Sequence, residues 1–123
     1  MPVLSPAAPL DPMPGLRFTP LAAPSRGTAR TSVWRVEIRP GTPGTPHQLT
    51  EEEILVVLSG TASVRIAGRD ARAVAGDAVV VPPDTDFCLA NEGPDPLHML
   101  CVLPVGGRAR TGDGEPFTPP WAR

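Results

Sequence analysis

The side chains best equipped for chemistry in this chain are few. There are only two histidines, His47 and His98, no lysine and no tyrosine. Lysine Schiff-base chemistry is therefore excluded, as is a pyridoxal phosphate lysine. His47 follows the Gly/Pro-rich bend GTPGTP, and Glu53 opens the apolar run ILVVL. A carboxyl placed among apolar side chains has a raised pKa unless it is paired, and His47 is its natural partner. Two readings of His47 and Glu53 stand side by side. One is a general acid/base dyad that works without metal; the other is a structural hydrogen bond. The acidic run continues upstream through Glu51 and Glu52, which read as a solvated strand-entry loop. No phosphate-binding glycine loop, nucleophile elbow or zinc-finger spacing is present.

The elements that must position these residues read as strands. Trp34, Val36 and Ile38 alternate with Arg35, Glu37 and Arg39, the pattern of a half-buried strand. Residues 53–58 are rich in β-branched residues and predict a strand buried on both faces. Further short strands are expected over 61–66, 72–74, 78–81, 87–90 and 97–103. Turn signals recur between them, and no segment reads as a helix. The 18 prolines and 12 glycines fall mostly in the punctuation. The spacing predicts an all-β fold, a sandwich or barrel. Residues 1–27, with seven of those prolines, predict an extended or disordered arm. It is either a floppy leader or a segment whose Leu16, Phe18 and Leu21 dock on the body or on a second subunit. Residues 28–105 form the expected domain. Residues 106–123 form a Gly/Pro-rich tail whose Phe117 and Trp121 either cover a cavity mouth or pack on the outside.

The 123 residues suffice for one domain and one core. A net charge of −2 gives no footprint for nucleic acid. No apolar run is long enough to span a membrane. No basic segment followed by an apolar one marks a secretory signal, so a cytoplasmic location is the expectation. Cys88 and Cys101 read as small buried hydrophobes, with a redox pair as the alternative.

Two segments resemble the motifs of the cupin family, in its single-domain, RmlC-like form. Gly41, His47, Glu53 and Gly60 match the first, G-x5-H-x-H-x3-E-x6-G, with Leu49 where the family has its second histidine. Gly76, Pro82 and Asn91 match the second, G-x5-P-x-G-x2-H-x3-N, with Asp84 at the glycine and Phe87 at the histidine. The motifs lie 15 residues apart, as in a single-domain cupin. The resemblance covers roughly residues 31–104. It implies a small antiparallel β-barrel, or jelly roll, and commonly a homodimer, to which the strand 54–58 and the arm would contribute. It also implies a divalent metal held by three histidines and a glutamate. Of that set this chain keeps His47 and Glu53, and two protein ligands rarely hold a catalytic metal.

His98 could complete a set of two histidines and one carboxylate for Zn, Fe, Ni or Mn. That requires strands 87–90 and 97–103 to pair as a hairpin centred between Pro94 and Asp95. Cys88 would then face Cys101, Leu89 would face Leu100 and Asn91 would face His98. A slip of one residue reverses the direction of His98. A histidine bonded to Asn91, or an exposed one, is the other outcome. The expected interior is a mostly apolar pocket lined by Trp34, His47, Leu49, Glu53, Leu55, Phe87, Leu89 and Asn91, and by His98 if that hairpin forms, with Trp121 a further candidate wall. The family includes polyketide cyclases, isomerases and dioxygenases. With half the ligand set replaced, the favoured expectation is a metal-free cyclase or isomerase acting on an apolar, polyketide-like molecule. A non-catalytic ligand-binding module and a metal enzyme using His47, Glu53 and His98 are the alternatives.

Overall fold

A computed structural model describes residues 3–123, and the first two residues of the expected arm lie outside it. Among the described residues eleven strands form, all pairing antiparallel: β1 (Leu10–Met13), β2 (Leu16–Ala22), β3 (Thr31–Ile38), β4 (Gln48–Leu49), β5 (Glu53–Ser59), β6 (Thr61–Ile66), β7 (Arg69–Val74), β8 (Ala78–Val81), β9 (Phe87–Ala90), β10 (Leu97–Pro104) and β11 (Ala109–Arg110). A six-stranded sheet has the order β1-β2-β3-β10-β5-β8. A three-stranded sheet has the order β7-β6-β9, and β4 pairs with β11. The sheets share one core, a jelly roll in which Trp34, Val36, Leu55 and Met99 of the large sheet meet Val64 and Phe87 of the small one. Among the described residues no helix is long and apolar enough to cross a membrane.

The alternation in β3 is as its sequence dictates, with Ser32, Trp34, Val36 and Ile38 buried. In β5, Glu53, Leu55 and Val57 point inward. Its outer face is not buried as expected. Ile54 and Val56 are half-buried and Leu58 is exposed, because nothing covers that side of the sheet among the described residues. Gly60 carries the chain from the large sheet to the small one at φ +84, where a Cβ would stand 2.5 Å from the carbonyl oxygen of Pro96. Ala67 and Gly68, both at positive φ, join β6 to β7.

The expected hairpin between β9 and β10 does not form. β9 pairs with β6 in the small sheet, whereas β10 lies between β3 and β5 in the large one. The turn Asn91–Pro96 is a crossover between sheets. Cys88 therefore stands opposite Arg65, Cys101 stands between Trp34 and Leu55, and Leu89 pairs with Val64 rather than Leu100. Both cysteines are free thiols. Asn91 holds the crossover together. Its amide donates to the carbonyls of Ile38 (2.9 Å) and Asp95 (2.8 Å), and its Oδ1 accepts from the Gly93 N–H (3.1 Å).

Eleven residues of the proline-rich stretch are sheet, in β1 and β2. β2 runs beside β3 with Phe18 opposite Val36 and Pro20 opposite Trp34. The tail is fixed as well. Ala109 and Phe117 exchange backbone hydrogen bonds of 2.8 and 2.9 Å. The buried Ser32 hydroxyl donates to the Ala122 carbonyl (2.9 Å), and the Ser25 hydroxyl donates to that of Arg123 (2.7 Å).

Candidate active site

Between the sheets lies an apolar pocket of about 180 Å³. Its floor comes from inward positions of three neighbouring strands: Trp34 on β3, Leu55 on β5, and Met99 and Cys101 on β10. The small sheet contributes Phe87 and Leu89, and Leu49 enters from β4. A larger, open groove of about 490 Å³ runs along β1 from Asp11 to Arg39. It contains none of the motif residues, so the interior pocket is the candidate site.

His47 reaches this pocket because its backbone pairs both ways with Phe87, at 3.0 and 2.9 Å. That pairing lays the two rings together, with centroids 4.1 Å apart and planes tilted by 50°. The Nδ1 of His47 lies 2.8 Å from the Thr45 carbonyl oxygen. A carbonyl only accepts, so Nδ1 carries the proton and Nε2 is left with a free lone pair. Burial lowers the pKa of His47, and the Thr45 carbonyl opposes that shift. The ring is thus held neutral, with one basic nitrogen.

Glu53 is the first residue of β5, opposite Val81, and only 5% exposed. Burial alone pushes its carboxyl from 4.5 up to about 8. At neutral pH it is a carboxylic acid with a proton to give. Among the described residues no hydrogen bond joins it to His47, and neither group perturbs the other's pKa. The expected bonded pair is replaced by two separate groups that line the same pocket. Cys101, beside Leu55, is fully buried, and burial first and Glu53 second raise its thiol well above the ordinary range. It is a poor nucleophile. The Trp34 indole N–H is buried with no acceptor among the described residues.

Of the residues expected in the pocket, Trp34, His47, Leu49, Glu53, Leu55, Phe87, Leu89 and Trp121 line it. Asn91 and His98 do not. The polar atoms of Asn91 are all engaged in holding backbone. His98 alternates with the buried Leu97 and Met99, so it lies on the outer face of β10, half-buried, opposite Glu37 and Ser59. The assumed hairpin had given it the wrong direction. The reading of the sequence missed Leu16 and Phe18 of β2 and Met99 and Cys101 of β10 as site residues, whereas Phe117 of the tail lines the pocket in one of the two ways expected of it. The alternation of Leu16 and Phe18 with Arg17 and Thr19 was the available signal for the first two.

A family model described as a cupin domain matches residues 34–103. The chain is a cupin. Among curated proteins none matches it. Solved structures do. KdgF from Halomonas sp. is 28% identical at a TM-score of 0.67, over 78% of this chain and 84% of that one. The polyketide cyclase RemF from Streptomyces resistomycificus superposes at a TM-score of 0.74, with 19% identity over 83% of this chain and 74% of that one. An RmlC-like cupin from Shewanella frigidimarina gives 0.69 at 18% identity, over 79% and 82%. The likeness to the last two is one of fold.

Cupins often bind a metal, but the residues of this cupin do not fit one. Leu49 and Phe87 occupy two of the family's ligand positions, and His98 faces away. Among the described residues no group of three or more His, Cys, Asp or Glu side chains stands close enough to hold an ion. His47 and Glu53 remain, fewer donors than zinc or non-haem iron sites use.

Proposed function

We propose that this cupin is a cyclase or isomerase that moves a proton on an apolar ketone, without a metal. One observation carries the reading. A neutral imidazole with a free Nε2 and a neutral carboxylic acid face the same apolar pocket, and neither is engaged by the other. Such a pair suits enolisation. His47 Nε2 takes the proton from the carbon next to the carbonyl. The C–H electrons form the C=C bond, the carbonyl π pair moves to oxygen, and that oxygen takes the proton of Glu53. In a β,γ-unsaturated ketone the enol is a dienol, and return of the imidazolium proton at its γ-carbon, with the enol O–H proton going back to the Glu53 carboxylate, gives the conjugated isomer. Attack of the enol carbon on a second carbonyl closes a ring, with the enol O–H returning its proton to Glu53 and the new alkoxide taking the imidazolium proton from His47. The walls would hold a flexible substrate in the reactive conformer. The likeness in fold to a polyketide cyclase supports this choice and does not decide it.

The test is deuterium exchange at the α-carbon of acetophenone in D2O at neutral pD, followed by NMR. Exchange should exceed the buffer rate, and His47→Ala and Glu53→Gln should each reduce the protein-catalysed part by about 10²-fold or more. Ketone binding with no catalysed exchange would instead identify a binding module. Exchange that survives both substitutions would refute the acid/base assignment.

The same proposal includes a homodimer. On the outer face of the large sheet Val102, Ile54 and Val80 stand in one cross-strand row, with Val80 52% exposed and Leu58 42% exposed nearby. Sedimentation equilibrium at micromolar concentration should return twice the chain mass. A monomer whose mass is unchanged by Val80→Glu would remove this part.

A further inference from the structure

We propose that the tail sets an upper size limit on the ligand, so that the pocket selects a flat, one-ring aromatic ketone over fused polycyclic ones. The inference rests on the ligand site proposed above and narrows its substrate class. Three observations support it.

The first is volume. The pocket measures about 180 Å³. A closed apolar cavity of about 150 Å³ holds a benzene ring, whereas sites for drug-sized molecules run from about 300 Å³ upward. There is room for one ring with a short substituent.

The second is the source of the limit. Trp121 of the 3-10 turn Pro120–Ala122 stacks on Phe18 of β2, with centroids 3.7 Å apart and planes within 7°. Both rings line the pocket, as do Phe117 and Pro119. This wall is made where the two proline-rich ends of the described chain meet, outside the strands that carry the cupin motifs. Removing the Trp121 ring would enlarge the pocket without touching His47, Glu53 or the floor.

The third is rigidity. Ser32 holds the Ala122 carbonyl, Ser25 holds that of Arg123, and the Ala109–Phe117 pair holds the near end of the segment. A wall pinned on both sides of Trp121 resists displacement by a ligand that is too large. Phe87 adds an aromatic ring from the facing sheet, which favours a flat ligand over a bulky one.

The test is calorimetric titration of the whole chain with acetophenone, 1-tetralone and anthrone, which are aryl ketones of one, two and three fused rings. The wild type should bind them in that order of affinity, with anthrone at least about tenfold weaker than acetophenone. Trp121→Ala should reverse the order, and weaken acetophenone by about tenfold through the lost ring contact. Phe117→Ala, at a side chain 45% exposed, is the second variant should the first not fold, and should shift the ranking in the same direction. Equal binding of all three ketones by the wild type, or a ranking unmoved in the variants, would overturn the size limit while leaving the acid/base proposal intact. Binding of none would overturn both. Size-ranked binding without deuterium exchange would uphold the limit and refute the chemistry.

Discussion

Glu53 should make this protein lose stability as the pH rises. The carboxyl has its ordinary value of 4.5 when the chain is unfolded and about 8 in the fold. Folding between those values therefore requires uptake of a proton. The folded-state pKa is the higher one, so the contribution is fully favourable below pH 4.5 and is lost as the pH climbs through 8. At about 1.4 kcal/mol per pH unit of displacement, the whole loss is about 5 kcal/mol, of which about 4 falls between pH 5 and pH 9. That is a large part of the ~5–15 kcal/mol that holds an ordinary domain folded. His47 acts with the opposite sign. Its folded pKa lies below 6.5, so it lowers stability as the pH falls from 6.5 through its folded pKa. Cys101 contributes only above its ordinary value of 9. Glu53→Gln removes the first effect, leaves that of His47, and lessens that of Cys101, which acts only above pH 9. Urea unfolding of both proteins at pH 5, 6, 7, 8 and 9, followed by tryptophan fluorescence, isolates it. The stability difference between wild type and variant should move by about 4 kcal/mol across that range, against the wild type at high pH. A difference constant to within about 1 kcal/mol would refute the claim that Glu53 is buried as a neutral acid.

Leu49→His combined with Phe87→His adds two imidazoles next to His47 and Glu53. The double variant should bind about one equivalent of Co²⁺ with a visible d–d spectrum, where the wild type shows none. Absence of binding by the folded variant would mean that the pocket cannot converge on an ion. Asn91→Ala should cost about 3 kcal/mol in thermal or urea unfolding, because it strips partners from two carbonyls and one N–H at the crossover. A cost under about 1 kcal/mol would show that water replaces the side chain without loss. His98→Ala should leave ketone binding and deuterium exchange unchanged. A loss of either would put His98 back at the site.

The part of the site that was legible in the sequence depends on local spacing. Trp34, Leu55 and Phe87 occupy inward positions of short strands, and alternation within a strand does not depend on which strand lies next to it. The motif resemblance then put His47 and Phe87 in the same pocket. What failed was a pairing choice. Pro94, Asp95 and Pro96 signal a turn equally well whether the chain doubles back in one sheet or crosses to the other. The direction assigned to His98 depended on that choice. The arm has two outcomes in the sequence, floppy or docked, because its prolines argue against helix and do not choose between them. It is docked: β1 is an edge strand that pairs only at Leu10 and Met13, and the β2–β3 ladder shifts register just after Pro20. Proline is tolerated where a donor is not needed. Trp121 was legible as an aromatic in a tail. Its partner was not, because Phe18 lies about a hundred residues away in the chain and nothing local links the two.

Leu49 and Phe87 do more than delete two metal ligands. A glutamate facing a divalent ion keeps a low pKa, because the ion's charge favours the carboxylate. The raised pKa of Glu53 has burial as its one cause, with no nearby charge to offset it. Leu49 and Phe87 are 3% and 2% exposed, and they line the same pocket. Phe87 also covers His47, whose lowered pKa has burial as its leading cause. The two apolar residues thus help keep one retained polar group an acid and the other a base at the same pH. Opposed protonation states on one pocket are what acid/base catalysis needs at neutral pH. A metal-holding pocket would fix both groups as ligands and leave neither free to move a proton. The two departures from the cupin pattern are therefore consistent with each other, and with a site that works through His47 and Glu53 themselves.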